Sequence, residues 1–344
     1  MIIHSKYNKM QHRTQYIGCF LLAALSLLAV SCKKDEYKLP TASNKLQDQA
    51  IKRTLGPNIV GQQIEFAYAM AILPNKGKLV SCTAEASIAG DSGTWMENKS
   101  YFTDVNNSGK DTGVVIGSPA VTSGNTTTVT YTVDTSAATL RYYYVVPEAA
   151  RGKTVSIKFT AKSSDGEMIS TTMGPYTISK MDMKLNLKVT NKTLMYISIG
   201  DMAVYDSTGA AAHAGSIDLV YLYRTYSTST FGHALVAPAA DTTYLPGVTL
   251  PSGVNRNAKL LKVFNLRDHN LAPDEQYGDT FIDDIDVEKI DLTGDPNYAI
   301  NLKQDAGVWV ETADGKYRAY VFVNKVATNT ATLSMKRYTI NNAK

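Results

Sequence analysis

The densest set of side chains able to do chemistry is FIDDIDVEKIDLTGD, residues 281–295. If this stretch is extended, Asp284, Asp286 and Glu288 share one face and Ile285 and Val287 the other. Convergent carboxylates, with Asp283 beside them, are the hard oxygen ligands that Ca²⁺ takes. The spacing is not that of an EF-hand, because Lys289 stands where that loop needs glycine. Two acids flanking a cleft could also serve glycoside hydrolysis, but only at a separation set by the fold. The favoured reading is plainer: an acidic strand face that keeps a sheet edge soluble. Asp283, Asp284 and Asp286 are therefore weak calcium candidates beside an expectation of no metal and no cofactor.

Aromatic side chains are the second resource. The chain has 21 tyrosines but two tryptophans. Trp95 lies in DSGTWMENKSYF between turn-forming residues, with Tyr101 six positions on. A flat ring presented on a rigid loop can stack on the face of a sugar, so Trp95 and Tyr101 are the ligand-binding candidates; packing of Trp95 over the end of a sandwich is the competing reading. Trp309 opens a strong hairpin and is assigned to the core. Tyr142, Tyr143 and Tyr144 must divide between faces, two in and one out.

Catalytic machinery is sparse. His213, His233 and His269 are widely spaced, and HExxH, GxSxG, GxxxxGK[ST] and GxGxxG are absent. Cysteine and histidine do not cluster as zinc requires. The expectation is a protein without enzymatic activity.

These side chains must be held by strands. Thr, Ser, Gly, Asn, Val and Tyr are abundant, and long Leu/Ala/Glu/Lys runs are rare. From Val60 the apolar period is two. Ile64, Phe66, Tyr68, Met70 and Ile72 alternate with smaller or polar residues, as do Val155, Ile157, Phe159 and Ala161. Turn signals at 74–77, 123–125 and 164–166 separate the runs. About seven strands in some 120 residues fit an immunoglobulin-like sandwich. The Cys-Trp-Cys core of antibody domains is missing, and Cys82 sits on an apolar face as an inert thiol.

A second set of strands follows. Met183, Leu185, Leu187 and Val189 alternate; 218–226 and 259–266 are apolar on both faces and expected to be central; 307–323 is a hairpin with a type I′ signal at Asp314-Gly315. The polar stretch 267–280 is expected to be a long loop. The fold class predicted is all-β, with two β-sandwich domains after a signal peptide and tether. The boundaries are 1–31 signal peptide, 32–58 tether with a short helix in 44–55, 59–180 first sandwich and 181–344 second sandwich.

The N-terminus carries an address. Lys6, Lys9 and Arg13 precede fourteen uncharged residues, Ile17 to Val30. As a helix that run spans about 21 Å, short of the roughly 30 Å hydrocarbon core. A basic segment, a short apolar run and small residues before Cys32 describe a secretory signal. Ala29-Val30-Ser31-Cys32 resembles a bacterial lipoprotein signal of relaxed Bacteroidetes type, which implies acylation of Cys32. The following Lys33-Lys34-Asp35-Glu36 resembles a signal for export to the outer face of the outer membrane. A multiply acylated cysteine anchors stably, where a single chain holds only marginally.

The signal supplies three of the four net positive charges, so no basic patch for nucleic acid remains. The whole chain resembles uncharacterised Bacteroidetes-type surface lipoproteins with tandem β-sandwich domains. That resemblance implies an outer-membrane, cell-surface, lipid-anchored protein whose partners are the membrane and either a polysaccharide or an outer-membrane protein. Glycan capture is the favoured function. A structural or adhesive subunit is the alternative, in which Arg53 could mark a maturation cleavage point.

Overall fold

The computed structural model describes residues 44–224, 231–272 and 280–340. Cys32, the signal peptide and the first part of the tether lie outside the described residues.

The first domain contains eleven strands: β1 (Gln47–Lys52), β2 (Gln63–Ala71), β3 (Leu79–Ala86), β4 (Trp95–Met96), β5 (Lys99–Asp104), β6 (Lys110–Val115), β7 (Val121–Ser123), β8 (Thr126–Thr130), β9 (Ala137–Val145), β10 (Thr154–Ser163) and β11 (Met168–Thr177). They form two facing antiparallel sheets, ordered β1-β2-β9-β4 and β11-β10-β3-β8-β7, with β5-β6 as a separate hairpin. The period-two residues do what alternation requires. Ile64, Phe66, Tyr68 and Met70 point inward from one sheet, and Cys82, Ala84, Ile157 and Phe159 from the other.

The second domain continues with β12 (Asp182–Thr190), β13 (Tyr196–Ser198), β14 (Ala203–Tyr205), α1 (Ser207–Ala212), β15 (Leu219–Arg224), β16 (Gly232–Val236) and β17 (Lys259–Phe264). It ends with α2 (Asp284–Lys289), β18 (Tyr298–Leu302), β19 (Ala306–Glu311), β20 (Tyr317–Ala327) and β21 (Thr330–Thr339). Its sheets are ordered β12-β21-β20-β19-β17 and β14-β13-β15-β16-β18. Val308, Val310, Val321 and Leu333 face the second sheet. The opposite face of β19–β21 is also covered: Trp309, Tyr320 and Phe322 pack under Leu271, Ile282, Val287 and Leu292. That third layer explains why β19 and β20 are apolar on both faces.

Several expectations are corrected. The stretch 44–55 is not helical but supplies β1, paired with β2 from Gln47↔Ala71 to Lys52↔Phe66. Leu46 and Ala50 are both buried. A spacing of four satisfies a strand face as well as a helix face, and the ladder with β2 decides between them. The residues assigned to a tether therefore include a sandwich strand.

The 259–266 segment is an edge strand, not a central one. Leu185 turns outward because the β12–β21 register breaks between Lys184 and Leu187, with Asn186 at φ 58°. The β19–β20 turn is not type I′, which needs positive φ at two residues: Gly315 has φ 64°, but Asp314 is not left-handed. The acidic stretch is α2, not a strand.

The two sandwiches meet within one compact unit, Asn44–Lys344. Arg151 donates to the carbonyls of Lys180 (2.9 Å) and Met181 (3.3 Å) and to Asp182 (2.7 Å). Ser179 N–H donates to the Asn58 carbonyl at 2.8 Å. Gly56, at φ 75°, lies so close to Phe281 that a Cβ there would meet the ring at 2.2 Å.

Candidate functional site

β9 is flanked by β2 and β4, so its outward residues stand on a rigid floor. Leu140, Tyr142 and Tyr144 are buried, which leaves Arg141 and Tyr143 facing out, the two-in, one-out division expected of the tyrosine triplet. β4 pairs Trp95 with Tyr143. The two rings stack with centroids 5.2 Å apart and planes 16° from parallel, and Trp95 remains 44 % exposed. Trp95 is thus on a short strand rather than a loop, held flat by a ring behind it.

Glu97 joins this pair to Tyr101. It accepts from the Tyr143 hydroxyl at 3.0 Å and from the Tyr101 hydroxyl. Burial and then the Glu97 carboxylate push the Tyr101 phenol up to about 12, so it stays protonated and donates. The Arg141 guanidinium lies 4.6 Å from the centre of the Tyr101 ring and donates to Glu65 and Asp111. Arg53 reaches the same Glu65 at 2.9 Å. Trp95 and Tyr101 therefore belong to one continuous face with Tyr143, Glu97, Arg141 and Glu65. An aromatic plane bordered by carboxylate and guanidinium groups can stack on the apolar face of a sugar ring and hydrogen-bond its hydroxyls.

Sequence reading misses Tyr143, Glu97 and Arg141 as members of this face. An outward tyrosine is expected, but its pairing with Trp95 depends on a strand register set 48 residues away in sequence.

The other candidates are dispersed. Asp283 caps α2, accepting from Ile285 and Asp286 N–H, and Asp286 accepts from Asp283 N–H at 3.0 Å in a capping box. Asp284 accepts from the Ser179 hydroxyl and from Lys180 N–H at 2.9 Å. Glu288 accepts from the Tyr338 hydroxyl. Among the described residues no three His, Cys, Asp or Glu side chains are grouped to hold a metal.

His213 stacks on Tyr205 at 4.5 Å, His233 is buried with Nδ1 2.7 Å from the Tyr221 hydroxyl, and His269 lies against Phe281. Cys82 is buried, and burial pushes its thiol up to about 12, which keeps it unreactive. Among the described residues no helix is long and apolar enough to cross a membrane.

Comparison with known proteins bears on the same two domains. Residues 43–178 match the domain of unknown function DUF4466, and residues 179–340 match the domain of unknown function DUF8576. No curated protein matches the chain at a significant level. The crystal structure of a DUF4466 family protein from Parabacteroides merdae is 45 % identical, covers 87 % of this chain and all of its own, and superposes with a TM-score of 0.80. The major pilin subunit BcpA of Bacillus cereus aligns over 80 % of this chain and 58 % of its own at 8 % identity, with a TM-score of 0.27, too low to indicate a shared fold. By its extensive identity to the Parabacteroides protein and its match over the first sandwich, this chain belongs to the DUF4466 family of unknown function.

Proposed function

We propose that this protein is a non-enzymatic binding protein, lipid-anchored through Cys32 at the outer surface of the outer membrane, and that it captures glycan on the face built around Trp95. One observation carries the reading. A tryptophan left nearly half exposed is braced from behind by Tyr143 on an internal strand, with Glu97, Tyr101 and Arg141 locked around it. A flat, exposed indole held in one orientation offers apolar surface on which the face of a sugar ring can stack.

Affinity electrophoresis against a panel of host and plant polysaccharides tests the face. At least one polysaccharide retards the wild type, and Trp95→Ala weakens that retention by about tenfold or more, close to 1.4 kcal/mol. Retardation that Trp95→Ala leaves unchanged, or no retardation across the panel, removes the proposal. The anchor is tested separately. Cys32→Ala should move the protein to the soluble fraction with its melting temperature unchanged, and a variant that stays with the membrane after a carbonate wash would refute lipid anchoring.

A structural or adhesive role is the second reading, favoured by exposed apolar residues around the β5–β6 hairpin: Phe102, Val114, Val115 and Val121. Arg53 directly follows β1, so processing there would detach that strand from the chain. Mass spectrometry of the native N-terminus separates the readings: a chain starting at Thr54 favours the adhesive role, and a lipidated Cys32 favours the first.

A further inference from the structure

We infer that a cleft of mixed polarity in the second domain is a separate binding site for an acidic oligosaccharide. The cleft has a volume of about 1030 Å³, at the upper end of ligand pockets and far larger than a lone phosphate or carboxylate needs. Its walls come from the turn after β12, the end of β15, the segment 246–249 and the β20–β21 turn.

The charge of the lining is one-sided. Lys192 and Arg224 face the cleft, and no Asp or Glu stands among the described residues that line it. Lys192 makes no ion pair among the described residues and is exposed. The rest of the lining offers hydroxyls and amides from Thr190, Asn191, Thr249, Thr328 and Asn329, the half-buried ring of Tyr223, and an apolar share from Met195, Leu222, Pro246 and Val248. Lys192, exposed and without an ion pair among the described residues, calls for an anionic ligand. Many neutral donors and acceptors, with one partly exposed ring, call for a ligand covered in hydroxyls. An acidic sugar polymer, bearing carboxylate or sulfate, meets both requirements; a simple anion meets only the first.

The cleft is built rather than loose. Asn191 N–H donates to the Asn329 carbonyl at 2.8 Å, and its side-chain amide donates to the Tyr223 carbonyl at 3.2 Å and to Asn329 Oδ1 at 3.3 Å. Arg224 donates to the Pro246 carbonyl, tying two walls together. Lys192 and Asn329 are both left-handed, at φ 71° and 64°. Asparagine tolerates that region, but lysine does so at a cost, and glycine would fit the backbone of residue 192 better. A cation held in a strained turn at the mouth of a cleft is the arrangement expected where charge matters more than stability.

The strain supplies a clean variant. Lys192→Gly removes the cation and relieves the backbone, so its melting temperature should equal or exceed that of wild type. Calorimetric titration of the full chain would use an oligogalacturonate, its fully methyl-esterified form, a sulfated oligosaccharide and an oligoglutamate of similar length. Wild type is expected to bind one or both acidic oligosaccharides, with affinity falling as salt rises. The arm that binds identifies carboxylate or sulfate as the recognised group. Loss of the charged contact should cost about tenfold in Lys192→Gly, and esterification should cost a galacturonate ligand a similar factor.

Trp95→Ala should leave this binding unchanged, which separates failure here from failure of the Trp95 face. The inference is overturned if neither acidic oligosaccharide binds, if Lys192→Gly binds as well as wild type, if the neutral ester binds as well as the acid, or if Trp95→Ala abolishes binding. It is overturned equally if oligoglutamate binds as tightly as the sugars, since the site would then recognise acidic peptide.

Discussion

Asp218 shows how one buried carboxylate sets a pH response. It is 1 % exposed, pairs with Arg256 at 2.7 Å and accepts from Ile199 N–H at 2.9 Å. Burial raises its pKa to about 6, with Arg256 and the Ile199 N–H opposing. Asp314 shares Arg256 at 2.9 Å and moves the other way, to about 2: burial acts to raise it, but hydrogen bonds from Thr312, Arg256 and Lys316 outweigh that. The two therefore act in different windows. A raised carboxylate stabilises the fold below its unfolded pKa and loses that contribution as pH rises through its folded value. For Asp218 the loss falls between about pH 4 and pH 6, and it amounts to roughly 2–3 kcal/mol. Asp314 contributes above about pH 4 and is lost only toward pH 2. Wild type should therefore gain several degrees in Tm relative to Asp218→Asn on going from pH 7 to pH 4.5, at about 2–4 °C per kcal/mol. Thermal melts of the two proteins across that range check this, and parallel pH profiles would rule it out.

At the scale of elements, legibility follows the number of competing patterns. β10 is plain because it buries one face only, and β2 nearly so, with Ala67 alone buried on its other face, so alternation has a single reading. β1 is ambiguous because a four-residue spacing suits two periods. α2 reads as a strand for a related reason: its acids alternate, but Asp283 and Asp286 also stand at the capping-box spacing, and that local signature governs the backbone. Lys336 is invisible to any such pattern. A lysine on a strand ordinarily points to water, yet Lys336 is fully buried and donates to Asp268 at 2.6 Å, to Asn270 at 2.9 Å and to the Ile282 carbonyl at 2.8 Å. Burial pushes its pKa down, with the Asp268 charge opposing. Its acceptors lie 54 to 68 positions earlier in the chain, so only the folded third layer brings them together. The same limit applies to the candidate face. Trp95 and Tyr101 can be nominated from type and setting, whereas Tyr143, Glu97 and Arg141 become partners only through strand register.

At the scale of the whole molecule, the acids of 283–288 connect rather than coordinate. Each sandwich has its own core, and their boundary is the segment 178–182. Asp284 grips that segment through Ser179 and Lys180, while Arg151 grips it from the first domain through Lys180, Met181 and Asp182. The junction thus rests on charge-assisted hydrogen bonds to backbone, with Phe281 seated against Gly56 beside them. If this is the work of the carboxylates, Asp284→Ala should lower stability by roughly 1–2 kcal/mol, the low end for lost bonds to a charged group at a partly exposed site. It should also weaken coupling, so that one calorimetric transition broadens or divides into two as each core melts by itself. Melts in EDTA and in millimolar calcium should coincide. A calcium site would behave differently, because an ion bound only to the native state adds about 2.7 kcal/mol at a hundredfold excess over Kd. A calcium-dependent rise of about five degrees or more, absent in Asp284→Ala, would replace the junction role with a metal site. A division of the transition in that variant without any calcium effect would establish the junction as what holds the tandem sandwiches together.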